Sequence, residues 1–286
     1  MNKKQIAVVG IVALMMGYLY LQPVKGLIKP KEGRSGSGQV TEAAPVANVT
    51  VDMVSAASKA AIGQNLAVKI STLEEQLKKA KGTARLPLIG QLAHQWDDVN
   101  QPAPAAFYYQ ELAKSQNQYT DWLTAGNRFN DAYKFTQDTT MQPAFVANAA
   151  AAFQQVLKQK PDNLDAQTGL GIADVNGAAA SPMEGIGLLR GVVEKDPGNW
   201  NANLALGQFA MKSGQYDKAV TRFKTMIAQK PDPKKSILEP YFYLAESYKQ
   251  LGQKPEAIAA YQKCKELMPD STFGKRIDDF INELKH

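Results

Sequence analysis

Residue types able to do chemistry are few in these 286 residues: two histidines, His94 and His286, one cysteine, Cys264, and two side-by-side aspartate pairs, Asp97–Asp98 and Asp278–Asp279. Acid–base work or metal binding needs such groups to converge. Neighbours on a helix point roughly 100° apart, so neither carboxylate pair meets on one proton or ion. One cysteine can form no intramolecular disulfide and offers no metal spacing. No HExxH, GxSxG, GxxxxGK[ST] or CxxC motif occurs. Gly169-Leu170-Gly171 is too short a cue for a phosphate cradle. These absences argue against an enzyme and imply no catalytic residues, cofactor or metal.

The net charge of +6 raises the question of a phosphate-backbone partner. Six basic residues (Lys3, Lys4, Lys25, Lys29, Lys31 and Arg34) lie in the first 35 positions, opposed there only by Glu32. Setting these aside from totals of 33 and 27 leaves 27 basic against 26 acidic residues. The remainder is nearly balanced and has no electrostatic footprint for nucleic acid.

Those basic residues flank the uncharged run Ile6–Leu21, IAVVGIVALMMGYLYL. As a helix its 16 residues span roughly 24 Å, slightly short of a hydrocarbon core of roughly 30 Å. Tyr18 and Tyr20 suit the interface. The competing reading is a cleaved signal peptide. No small-x-small site follows in GYLYLQPVKG, and there is no lipobox cysteine. The expectation is an uncleaved transmembrane anchor over residues 1–24. Counting lysines and arginines on either side places the rest of the chain in the cytoplasm. The short MNKK start has the form of an export signal, and the segment after residue 34 resembles an extracytoplasmic tether. The expected location is therefore the inner (cytoplasmic) membrane, single-pass, with the folded domain periplasmic, and a cytoplasmic domain as the alternative.

Residues 25–59 are rich in Gly, Ser, Ala, Thr and Pro without a period and read as a flexible linker. Over residues 60–82 the spacing predicts a helix, with Leu66, Ile70, Leu73 and Leu77 as its apolar stripe. That stripe reads as packing on the domain, or else as self-association into a homo-oligomer. Further on, Ala, Leu, Gln and Lys dominate and strand patterns are missing, so the fold class is all-α.

Internal self-similarity organises the rest. NANLALGQFAMKSGQYDKAVTRFKTMIAQKP aligns with EPYFYLAESYKQLGQKPEAIAAYQKCKELMP. Leu206-Gly207 matches Leu244-Ala245, Gly214 matches Gly252, Ala219 matches Ala257, Phe223 matches Tyr261, and Pro231 matches Pro269. Each unit is helix, Gly-containing turn, helix, proline. The small–aromatic–apolar series also recurs at Ala105-Tyr109-Leu112 and Ala149-Phe153-Val156. These residues resemble the tetratricopeptide repeat family. The resemblance gives five repeats, at 86–119, 120–163, 164–199, 200–237 and 238–271, and residues 272–286 as a capping helix. The second carries about eleven extra residues around KFTQDTTMQP, and the third is degenerate, with Gln167 and Asp174 at positions usually apolar. Cys264 falls on a packing position.

The family implies a right-handed superhelical solenoid whose concave face is lined by first helices and binds protein or peptide. Counting from the packing residues, groove positions toward the N-terminal end are His94, Asp97, Asn127, Asn130 and Asp131. Toward the C-terminal end they are Ile172, Val175, Leu204, Gln208, Met211, Phe242, Glu246 and Lys249. The clamp some members use for a C-terminal carboxylate is not carried over, because only Asn127 of it is in place. Leu204, Met211 and Phe242 suit a peptide's apolar side chains instead. The reading is a membrane-tethered protein-interaction scaffold of the cell envelope. Its rivals are a chaperone-like accessory of a translocon or secretion machinery, and a recruitment subunit of an envelope-polymer enzyme.

Overall fold

A computed structural model describes residues 48–177, 182–229, 235–268 and 271–285. The expected anchor, residues 25–47 of the expected linker, and His286 lie outside the described residues. No helix among those described is long and apolar enough to cross a membrane. Every regular element among them is helical.

The helix pairs are α3 (Arg85–Asp98) with α4 (Pro102–Gln116), and α5 (Tyr119–Phe135) with α6 (Gln142–Gln159). They continue with α7 (Leu164–Asn176) and α8 (Pro182–Lys195), α9 (Trp200–Lys212) and α10 (Tyr216–Ile227), and α11 (Leu238–Gln250) and α12 (Lys254–Leu267). Local chemistry sets each corner. Gly214 and Gly252 end α9 and α11 with φ of 73° and 72°, and Asn100 ends α3 at 54°. All three turns carry the same two bonds. At the first, Asn100 N–H donates to the Asp97 carbonyl (2.9 Å) and Gln101 N–H to that of Trp96 (3.0 Å). This double bond caps a helix whose chain passes through a left-handed residue, which glycine tolerates best and asparagine next. Asn163 and Asn199 start α7 and α9 by accepting from Ala166 N–H (2.8 Å) and Ala202 N–H (3.0 Å).

Packing within and between pairs rests on aromatic rings seated on bare glycines. A Cβ on Gly207 would stand 2.6 Å from the Phe223 ring. The fully buried Phe153 is wedged between Gly126 of its own pair and Gly169 of the next, where a Cβ would come within 2.8 Å and 2.1 Å. In the degenerate third pair no ring intervenes; the backbones meet directly, and a Cβ on Gly185 would lie 2.5 Å from the Gly171 carbonyl. The extra residues of the second pair lengthen both helices, to 17 and 18 residues against 13 and 12 in α9 and α10. They also insert a 3-10 turn, Thr139–Met141, whose Thr140 N–H is held by Asp138 (2.9 Å).

The N-terminal part departs from the sequence reading. Residues 51–59, read as linker, belong to α1 (Val51–Ala61). Its small side chains look like tether composition, yet they allow close approach to α4: Val54, Ser55 and Ser58 are buried. The expected single helix over 60–82 is broken at Ile62-Gly63 and resumes as α2 (Gln64–Lys79). Glu74 on α2 ties the corner together, accepting from Ser55 Oγ (2.6 Å), Tyr108 OH (3.3 Å) and Lys59 Nζ. From Ile70 onward the α2 stripe packs in one cluster with Ile89, Leu92 and Trp96 of α3, leaving Leu66 exposed. At the other end α13 (Ser271–Lys285) buries Ile277, Ile281 and Leu284 against the last pair.

Candidate functional site

The first helices of successive pairs line a hollow of about 890 Å³. Helical spacing selects its walls: Asn127, Asn130, Asp131 and Lys134 from α5, Thr168, Ile172 and Asn176 from α7, Leu204, Gln208, Met211 and Lys212 from α9. Tyr243 of α11 closes one end. Gly169 forms part of the floor, and a side chain there would collide with the buried Phe153 beneath it.

Several wall groups are already held. Asn130 Nδ2 donates to the Gly169 carbonyl (3.0 Å), and Gln208 Nε2 to Tyr243 OH (3.1 Å). Arg128 grips Asp97 with Nε (2.6 Å) and Nη2 (3.1 Å), and Asp131 with Nη1 (3.0 Å). Burial pushes the Asp131 carboxyl above its ordinary range despite the Arg128 guanidinium beside it. One buried wall group is not held: the Thr168 hydroxyl, on a residue only 3% exposed, has no hydrogen-bond partner. A buried hydroxyl without a partner is costly and uncommon in folded proteins. The walls offer amides, a few charges and the apolar Ile172, Leu204 and Met211. They contain no nucleophile–base pair.

Of the residues picked from the sequence, Asn127, Asn130, Asp131, Ile172, Leu204, Gln208 and Met211 share this hollow. Phe242, Glu246 and Lys249 do not. The α13 helix packs chiefly on α12 beyond the last pair, and the Phe242 ring of α11 packs on Phe280 (6.3 Å) and Tyr261 (6.2 Å). Glu246 accepts from Tyr261 OH, and Lys249 pairs with Glu283 (3.1 Å). Counting from repeat positions takes no account of a cap at the end of the array, so Phe242 and Lys249 meet α13 while Glu246 is held by α12. Val175 likewise faces Gly185 of α8. Asp97 takes part through Arg128 and also accepts from Tyr109 OH (2.9 Å). His94 lies apart from the hollow, in a separate cleft. Cys264 is fully buried, and burial pushes its thiol up to about 12.

Sequence reasoning passed over Arg128, Thr168, Lys212 and Tyr243. For Lys212 a signal existed, since it stands four residues after Gln208 on the same face. Thr168 had none, because an unsatisfied hydroxyl is a property of its surroundings.

The class so defined is a solenoid of antiparallel helix pairs with a recessed inner face. Family models described as Tetratricopeptide repeat match residues 178–235 and 238–271, so tetratricopeptide repeats are present in this chain. A crystal structure of a tetratricopeptide repeat protein from Parabacteroides merdae ATCC 43184 is similar at 13% identity. The match covers 82% of this chain and 86% of that one with a TM-score of 0.53, a likeness of fold alone. PilW, a widely conserved type IV pilus biogenesis factor, matches at 18% identity over 71% and 94% of the two chains (TM-score 0.47). YrrB, a TPR protein with an unusual peptide-binding site, matches at 18% identity over 73% and 97% (TM-score 0.42). No curated protein matches the chain. The repeats and the fold are those of a protein-interaction module.

Proposed function

We propose that this chain is a membrane-tethered interaction scaffold that receives an extended segment of a partner protein in the α5–α7–α9 hollow. The observation that carries the reading is the hollow itself, large enough for several peptide residues and floored by the unpartnered Thr168 hydroxyl. An extended segment would supply backbone groups to Asn127, Asn176 and, once its side chain turns toward the hollow, Thr168, and apolar side chains to Ile172, Leu204 and Met211. The tether rests on the run Ile6–Leu21, and a domain on the extracytoplasmic side on the tether-like composition that follows it.

A photoreactive residue in place of Met211 tests the hollow, with one in place of the exposed Lys263 on α12 as control. One stoichiometric partner crosslinked from position 211 alone is the expected result. A broad set of unfolded clients would favour a holdase instead, and equal crosslinking from both positions would refute the site. For the tether, mass spectrometry of membrane-extracted protein should recover residues 1–24. Protease added to spheroplasts should degrade the repeats, whereas protection until lysis would place them in the cytoplasm.

A further inference from the structure

A second cleft, of about 550 Å³, opens at the N-terminal end of the array, with walls from α3, α4 and α5. Leu86 and Leu112 supply aliphatic walls, and Gly90 leaves the α3 side bare: a Cβ there would meet nothing within 4 Å. Glycine in a helix interior weakens the helix, and no neighbour here requires it.

The lining of this cleft holds one carboxylate, Asp121, and the Gln116 amide among its polar groups. Asp121 Oδ2 is buried without a hydrogen-bond partner, and burial raises the Asp121 carboxyl with no cation to offset it. The proton on Tyr109 OH goes to Asp97 Oδ2 (2.9 Å), so its contact with His94 Nδ1 (3.2 Å) has the imidazole N–H as donor. Nε2 is then the ring nitrogen left for another contact. No lysine or arginine lines the cleft. The basic groups on the same helices are engaged elsewhere, Arg85 by Glu111 (2.8 Å), Lys114 by Gln110 (3.1 Å), Arg128 by Asp97 and Asp131, and Lys134 over the Phe135 ring (5.5 Å). Thr124 gives its proton to the Thr120 carbonyl (3.0 Å).

We propose that the cleft receives a lysine side chain of a protein partner, its stem along Leu86, Gly90 and Leu112 and its ammonium on Asp121. A compact ammonium suits one recessed carboxylate oxygen, whereas a guanidinium needs both oxygens for its fork. The assignment stands independently of what fills the larger hollow, and it gives His94 a place that the groove reading did not.

Fluorescence polarisation on the full chain tests it with labelled Gly-Gly-Lys-Gly-Gly and counterparts bearing norleucine or arginine at the centre. The lysine peptide should bind at least about tenfold more tightly than either counterpart, the order of difference expected for a charge-assisted hydrogen bond. Asp121→Asn should bring it to the norleucine level. Gly90→Leu, which fills the cleft without touching the acceptors, should do the same with the melting temperature retained. Leu204→Arg, in the larger hollow, should leave lysine binding unchanged, so failure of the peptide-groove reading is distinguishable. Equal binding of the lysine and norleucine peptides, an arginine preference, or an unaffected Asp121→Asn would overturn the assignment.

Discussion

Gly207 and Phe223 hold the fourth pair together by a contact with no slack, and the contact can be tested through its sign. Gly207→Ala places a methyl 2.6 Å from Phe223 Cε1 and Cζ. The ring cannot swing away: Phe223 is fully buried and stacked on Tyr243, with centroids 5.4 Å apart and planes at 25°. Overpacking of this kind costs about 1–3 kcal/mol. The helix propensity gained from alanine returns about 0.8–1 kcal/mol, so the net is a loss of up to about 2 kcal/mol. Phe223→Ala alone removes the ring and should cost about 3–5 kcal/mol. In that background the methyl meets no ring, and Gly207→Ala should become stabilising by about 0.8–1 kcal/mol. The implied coupling equals the overpacking cost, about 1–3 kcal/mol, above the ~0.3–0.5 kcal/mol within which independent sites add. Urea melts of the four proteins measure it, read as midpoints at constant slope. If Gly207→Ala costs the same in both backgrounds, the ring does not sit on the glycine and the packing account fails.

Phe242→Ala should lower stability by about 2 kcal/mol, less than a fully buried ring because Phe242 is only half-buried, while crosslinking from position 211 persists. Unchanged stability with lost partner capture would return Phe242 to the groove. The Cys264 thiol should resist a maleimide at pH 8 in the native chain and react at once in urea; rapid native labelling would show an opened α11–α12 contact. Asp174 is held above the ordinary carboxylate range by burial and then by Glu184. Its charged form is therefore penalised in the fold at neutral pH, and the penalty is relieved as pH falls through the raised folded-state value. Asp174→Asn should raise the melting temperature at pH 7 and flatten its dependence between that value and the ordinary one near 3.8; a lowered melting temperature would contradict this.

The repeat was legible because its packing rules are local and recur. Gly207, Ala219 and Phe223 announce a close crossing by type and spacing, and their counterparts in other pairs announce it again. The same logic placed Asn127, Asp131, Leu204 and Gln208 on the inner faces of α5 and α9. It failed where an element's role is set by something outside the repeat. Phe242 holds a groove position by count, yet α13 lies against it, and nothing within residues 238–271 encodes that. Val51, Val54, Ser55 and Ser58 read as tether because small residues serve loops and close helix contacts equally well. Only the surface of α4 decides between them. Asn100 shows a subtler limit: it fills the left-handed corner that Gly214 and Gly252 fill elsewhere, a substitution visible in backbone angles but not in a search for glycine.

A stack of identical pairs has two raw ends, and each exposes an apolar face that invites another copy. Here both ends are occupied by the chain itself. At one, α2 lays Ile70 and Leu77 against α3 and Glu74 pins α1, α2 and α4 together. At the other, α13 sets Phe280 on Phe242 and Tyr261, and Lys265 pairs with Asp278 (2.7 Å). Surface pairs such as the last add little stability, so the apolar contacts hold the caps in place. With its ends closed, the array keeps its recessed surface in the middle, where α5, α7 and α9 carry a buried hydroxyl without a partner and side chains that packing does not need. If that hollow were only a by-product of stacking, removing the Thr168 hydroxyl would be harmless to both stability and binding. Thr168→Val keeps the shape and removes the unpaired group, so it should stabilise the empty protein by about 1–3 kcal/mol. It should also weaken capture of the partner. A gain in stability with binding untouched would leave the hydroxyl as a local packing cost and take away its part in recognition.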